Sequence, residues 1–133
     1  KLDQEHKIKK VAKIIDEFNL SKILQIKGRM LSGGQRRKVE IARTLICEPK
    51  IMLLDEPFAG IDPIAVEEIK ELLLEIVKKN ISILITDHNV RETLSLCNKA
   101  IVLSNGMVIA EGNEESLKQN AHVKKEYFGE MFS

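Results

Sequence analysis

The sequence predicts an α/β protein with a mainly parallel sheet, flanking helices and a β-hairpin toward its C-terminus. Three observations carry this. The apolar runs Ile51-Met52-Leu53-Leu54 and Ile83-Leu84-Ile85 each stop at charged residues, Asp55-Glu56 and Asp87-His88, as buried parallel strands do when they deliver polar groups to a sheet edge. Between them lies an amphipathic stretch of helical period, and strand, helix, strand forms a right-handed parallel unit. Further on, Ser104-Asn105-Gly106 separates two apolar runs, a strong short hairpin signal.

At 133 residues the chain has the length of one domain, enough for a core. The 21 Lys and Arg against 20 Asp and Glu leave a net charge of +1, so no global basic field argues for nucleic acid or anionic lipid. Cys47 and Cys97 lie far apart in apolar helical surroundings with no metal-ligand spacing, and are expected to be reduced core residues. No apolar run approaches membrane-spanning length and no signal peptide opens the chain. The first residue is Lys rather than Met, so the expectation is of a cut N-terminus.

In chain order, Asp3 can cap a helix whose face is Ile8, Val11, Ala12, Ile15 and Phe18, ending near Asn19. A mixed connection follows, with room for a short helix from Ser21 through Leu24. Ser32 and Gln35 have capping-box spacing, so a helix starts there and presents free N–H groups and a positive dipole end. Gly33 and Gly34 remove side chains where something approaches the backbone. A hydroxyl and two glycines at a helix start suit a phosphate, although an ordinary capped helix after a glycine turn has the same sequence. This helix is expected to bury Val39, Ala42 and Ile46 and to leave Arg36, Arg37, Lys38 and Arg43 solvated on the other face.

After Pro49 comes the strand ending in Asp55-Glu56-Pro57. Two adjacent carboxylates at such an end can divide phosphate chemistry, one fixing magnesium and the other activating water. Alone, the stretch fits a surface turn equally well. Phe58 to Asp62 forms a turn, Asp62 capping the next helix with Pro63 at its first position. Ile64, Ile69, Leu72, Leu73, Ile76 and Val77 give that helix its buried side, and Asn80 closes it in left-handed geometry. The second strand then brings His88 to the same edge as Asp55 and Glu56, where it can stabilise a terminal phosphate. Asn89 with Glu92 starts another capped helix, Ala100 to Leu103 and Met107 to Ala110 form the hairpin, and Asn113 opens a helix with Glu114 and Glu115 in its first turn. Asn120 to Tyr127 reads as a last short helix, and Phe128, Met131 and Phe132 as an apolar tail used in packing.

These pieces resemble the ATP-binding cassette (ABC) ATPases. Leu31-Ser32-Gly33-Gly34-Gln35 is similar to their signature motif, Met52 to Glu56 to their Walker B strand, Ala59 to Asp62 to their D-loop and His88 to their switch histidine, in matching order and spacing. The resemblance implies that Asp55 holds Mg2+ through water, that Glu56 is the general base and that His88 meets the γ-phosphate. It also implies that Leu31 to Gln35, chiefly Ser32, Gly33 and Gly34, bind the ATP held by the opposite subunit of a homodimer, with Asp62 at the dimer interface. Ala59 and Gly60 depart from the commonest D-loop pattern, where serine and alanine are frequent, so no serine role transfers.

None of the seven glycines precedes Lys-Ser or Lys-Thr; Gly28 and Gly33 have phosphate-loop separation, but Gly34 stands where the lysine belongs. The Walker A half is therefore absent. The expected organisation is the C-terminal half of a P-loop NTPase domain of the ABC type, with residues 1–47 part of the helical subdomain and signature helix and 48–133 the C-terminal part of the catalytic core. Such a chain is expected to be inactive alone and, with a sheet cut in half, to expose strand edges and self-associate.

Within the family, Asp55 to Pro63, Ile85 to Leu94 and His122 to Glu130 resemble the members that power lipopolysaccharide export. That implies a cytoplasmic ATPase, peripheral on the inner membrane through transmembrane partners of the LptF and LptG kind, with no nucleic acid partner. Two alternatives are the ATPase of a branched-chain amino acid importer and the C-terminal ATPase half of a DNA-repair or chromosome-maintenance protein. The latter would place its phosphate loop far upstream, but no sustained heptads precede Leu31.

Overall fold

The computed structural model describes residues 3–124, which divide into two units, the first running to Thr86 and the second from Asp87. The first contains α1 (Gln4–Glu17), two 3₁₀ turns (Ser21–Ile23 and Gly28–Met30), α2 (Gly33–Leu45), β1 (Ile51–Asp55), α3 (Pro63–Lys78) and β2 (Ser82–Thr86). The second contains α4 (Val90–Leu96), β3 (Ala100–Ser104), β4 (Met107–Gly112), α5 (Glu114–Gln119) and α6 (Ala121–Val123). The architecture is the expected α/β one, with one parallel strand pair and one antiparallel hairpin. The expected last helix begins as α6, capped by Asn120; its positions 125–127 and the whole apolar tail lie outside the described residues.

Helix starts follow the caps read from the sequence. Asp3 accepts from the Gln4 N–H, Ser32 from Gln35, Asp62 from Ala65, Asn89 from Glu92 and Asn113 from Ser116. Each satisfies a backbone donor that the first helical turn leaves unpaired. Asn19 and Asn80 stop α1 and α3 at positive φ of 51° and 61°.

β1 and β2 pair in parallel, Ile51 opposite Ser82 and Asp55 opposite Thr86. The strands were expected to be buried on both faces, and here the structure differs. Met52 is buried, but Ile51, Leu53 and Leu84 on the other face are 63%, 72% and 60% exposed. Only one face has helical cover among the described residues, where α3 packs on β2. Two helix faces differ in part from expectation, although Phe18 after α1 and Ile69, Leu73 and Ile76 of α3 are buried as expected. In α1, Ile14 is buried while Ile8 and Val11 are exposed; in α3, Ala65 and Val66 take the buried places assigned to Ile64 and Val77. In α2, Ile41, Ala42 and Leu45 are buried, Val39 is half-buried and Ile46 exposed. Cys47 is exposed just beyond α2, not in a core; Cys97 ends α4 half-buried, and burial pushes its thiol pKa up.

In the second unit Leu94, Val102, Leu117 and Val123 form a small core, joined by Val90, Ala100, Ile109 and Ala110. The hairpin turns at Asn105 and Gly106, both at positive φ (49° and 77°), the backbone that matches the strand twist. A register shift between Val102 and Leu103 moves β4 by one residue, an irregularity that the alternation did not signal.

Candidate functional site

The site grows from the C-terminal end of β1. Asp55 closes the strand, and the Thr86 hydroxyl of β2 donates to Asp55 Oδ1 at 2.5 Å. The neighbouring parallel strand thus fixes the carboxylate's orientation. One residue on, Glu56 turns at φ 44°. Left-handed backbone costs a residue with a Cβ about 1–2 kcal/mol, so surrounding bonds must hold it there. Its N–H donates to the Thr86 carbonyl at 2.7 Å, and its own carbonyl accepts from the Ala59 N–H at 3.2 Å. Arg37 of α2 adds a third bond, its Nη2 donating to the Glu56 carbonyl at 3.1 Å. Pro57 and Phe58, both buried, anchor the chain just beyond. Asp55 and Glu56 remain exposed at the strand end.

Ser32 and Gln35 form a reciprocal capping box. The Gln35 N–H donates to Ser32 Oγ at 3.2 Å, and the Ser32 N–H donates to Gln35 Oε1 at 3.0 Å. The two glycines have a role inside the chain that the anion reading missed. A Cβ on Gly34 would lie 2.6 Å from Ala65 Cβ, and one on Gly33 would lie 3.1 Å from the Gly60 carbonyl oxygen. What approaches the backbone here is α3 and the turn before it. Gly33 and Ser32 nonetheless stay exposed, Gly34 is buried, and Leu31 and Gln35 are half-buried. Asp62 caps α3 through its bond from the Ala65 N–H at 3.0 Å.

His88 follows Thr86 by two residues and belongs to the second unit. Its side chain is 73% exposed, while that of Asp87 is 1% exposed. Asp87 Oδ1 accepts from the Asn89 N–H at 2.8 Å, and the His88 carbonyl accepts from the Val90 N–H, a tight turn leading into α4.

The structure therefore brings Asp55, Glu56, Thr86 and the signature helix into one unit, and places His88 in the other. Two residues that sequence reasoning passed over join the site. Thr86 has no role in the sequence reading, although its position opposite Asp55 in a parallel pair is the available signal. Arg37 was read as a solvated cation; it instead bridges Glu40 Oε2, at 3.0 Å, and the Glu56 carbonyl. Lys38 likewise is not free but pairs with Glu68 of α3 at 2.6 Å.

A magnesium ion fits the donor set. Asp55 offers a hard carboxylate oxygen at a strand end, and magnesium is commonly held by one or two carboxylates together with substrate phosphates. Among the described residues no group of three or more His, Cys, Asp or Glu could form an all-protein metal cage.

Comparison with known proteins gives a consistent result. The ABC transporter family matches residues 2–59. The chain is 47% identical over 131 residues to the lipopolysaccharide export system ATP-binding protein LptB of Haemophilus influenzae, covering 98% of this chain and 54% of that protein. The Escherichia coli LptB is 45% identical over the same share of each. Among solved structures, an ATP-binding cassette of an ABC transporter in its ADP conformation superposes with a TM-score of 0.85 at 34% identity, over 97% of this chain and 52% of that one. A nucleotide-free ATP-binding cassette gives 0.84 at 35%, over 96% and 52%. The chain thus spans about half the length of the curated relatives it matches.

Proposed function

We propose that this chain, similar to ABC ATPases and spanning about half the length of the curated relatives it matches, is the C-terminal half of an ATP-hydrolysing subunit. Residues 1–47 contribute part of the helical subdomain with the signature helix, and 48–133 the second part of the catalytic core. The observation that carries the reading is the end of β1. Asp55 is oriented by the next parallel strand, and Glu56 is pinned in an unfavourable backbone conformation directly after it.

Asp55 would hold Mg2+ through water, and the ion would supply neutralising charge to the nucleotide phosphates. Glu56 takes the proton of the water that attacks the γ-phosphorus; the bond from that phosphorus to the ADP oxygen breaks, its electron pair leaves with ADP, and inorganic phosphate is formed. His88 stabilises negative charge on the γ-phosphate oxygens. Ser32, Gly33 and Gly34, with Leu31 and Gln35 flanking them, present donors to the ATP of the opposite subunit in a homodimer. Asp62 contributes to the subunit contact beside its capping role.

The cargo reading follows the resemblance to LptB. The complete protein powers lipopolysaccharide export at the cytoplasmic face of the inner membrane, held there by transmembrane partners like LptF and LptG. Among the described residues no helix is long and apolar enough to cross a membrane. The test is reconstitution of the full-length protein with such partners in lipopolysaccharide-containing proteoliposomes. ATP-dependent release of lipopolysaccharide is expected. ATP-driven uptake of branched-chain amino acids with a matching permease, and no lipopolysaccharide release, would instead support the importer reading.

A further inference from the structure

We infer that Arg37 is a positioning residue for Glu56, clamping the left-handed turn that aims the proposed catalytic carboxylate. The inference rests on the reading of Glu56 as base. Three hydrogen bonds fix the Glu56 peptide groups. Two come from nearby in the fold, from Thr86 in the adjacent strand and Ala59 in the same turn. The third is delivered by a different element, α2, nineteen residues earlier.

Arg37 is suited to this. Its Nη1 is held by Glu40 Oε2 one turn further along α2, at 3.0 Å, while Nη2 reaches the Glu56 carbonyl at 3.1 Å. The two nitrogens of a planar fork make both bonds at once, so Glu40 sets the guanidinium plane and the plane sets the carbonyl. A lysine ammonium is a single point and lacks the second nitrogen. The Arg37 side chain is only 27% exposed, so it is not a freely swinging surface cation. The same helix begins at Ser32, where the signature residues lie. A displacement of α2 on engaging a nucleotide at its start would therefore be transmitted through Arg37 to the backbone of Glu56. The helix start and the proposed base, though proposed to serve different nucleotides, are mechanically joined within one chain.

The experiment uses the full-length protein with Arg37→Ala, Arg37→Lys, Glu40→Gln, Glu56→Gln and the double variant Arg37→Ala/Glu56→Gln. Arg37→Ala is expected to lower kcat about tenfold or more with KM for ATP within about twofold, because a small misplacement of a catalytic group costs rate more than binding. Arg37→Lys should recover only part of the loss, and Glu40→Gln should lose less than Arg37→Ala. The double variant should hydrolyse no more slowly than Glu56→Gln alone. In carbonyl-labelled protein, the Glu56 ¹³C′ resonance should move in Arg37→Ala, a signature independent of activity. Wild-type kcat in Arg37→Ala, or a fall in kcat with the Glu56 resonance unmoved, overturns the inference; if that variant does not fold, Glu40→Gln and Arg37→Lys decide by the same readouts. Wild-type turnover in Glu56→Gln would instead overturn the assignment of the base itself.

Discussion

At Glu56 the chain accepts left-handed backbone, φ 44°, without a glycine to make it easy. Glycine adopts this region at no steric cost, so Glu56→Gly should be more stable than Glu56→Ala by about 1 kcal/mol, reversing the usual order. Denaturant melts of the two variants check this. Equal stabilities would mean that the turn is not strained. Gly34 presents the opposite case, being required by space. An added methyl would meet Ala65 Cβ at 2.6 Å, so Gly34→Ala should cost about 1–3 kcal/mol, whereas Gly28 has nothing within 4 Å of such a methyl and Gly28→Ala should be neutral or slightly stabilising. Thermal midpoints separate the two. At this scale the sequence was most legible for polar groups with local partners: the caps at Ser32, Asp62 and Asn89 depend only on neighbours three residues away. Arg37 and Thr86 were not legible, since their partners lie 19 and 31 residues off and are set by packing.

Between elements, the pairing of Lys10 in α1 with Glu48, at 2.7 Å, carries a pH dependence. The hydrogen bond and charge of Lys10 hold the Glu48 carboxyl below its ordinary value. A depressed carboxylate contributes stability above its unfolded pKa, and that contribution is lost as pH falls through the folded value. Glu48 is fully exposed, so the expected signal is in its titration rather than in global stability. Lys10→Met should raise the Glu48 midpoint in a carboxyl NMR titration; an unchanged midpoint would contradict the pairing. Helices were legible as elements and in the centre of their buried faces, as at Ala42, Ile69, Leu73 and Ile76, but not at the edges of those faces. Ile8 and Ile64 lie in apolar patterns yet stay exposed, because the period specifies an apolar stripe and not which part of it has a neighbour to pack on. The hairpin turn was legible from Asn105-Gly106, whereas its register shift comes from strand pairing, which local residues do not encode.

For the whole molecule, Ile51, Leu53 and Leu84 form an exposed apolar face, and the chain spans about half the length of the curated relatives it matches. Parallel strands usually have both faces covered, and here one face has no helix over it among the described residues. The isolated 133-residue chain should therefore self-associate, and a monodisperse monomer by light scattering at tens of micromolar would contradict this. In the proposed function, Asp55 and Glu56 form the carboxylate half of a site, and the motif from Leu31 to Gln35 belongs to its counterpart across a dimer. The most direct test is Mg2+-dependent ATP hydrolysis by the full-length protein carrying Glu56→Gln, measured beside its ATP-dependent dimerisation. The account predicts dimers that form with ATP and do not hydrolyse it; turnover near the wild-type rate would contradict it.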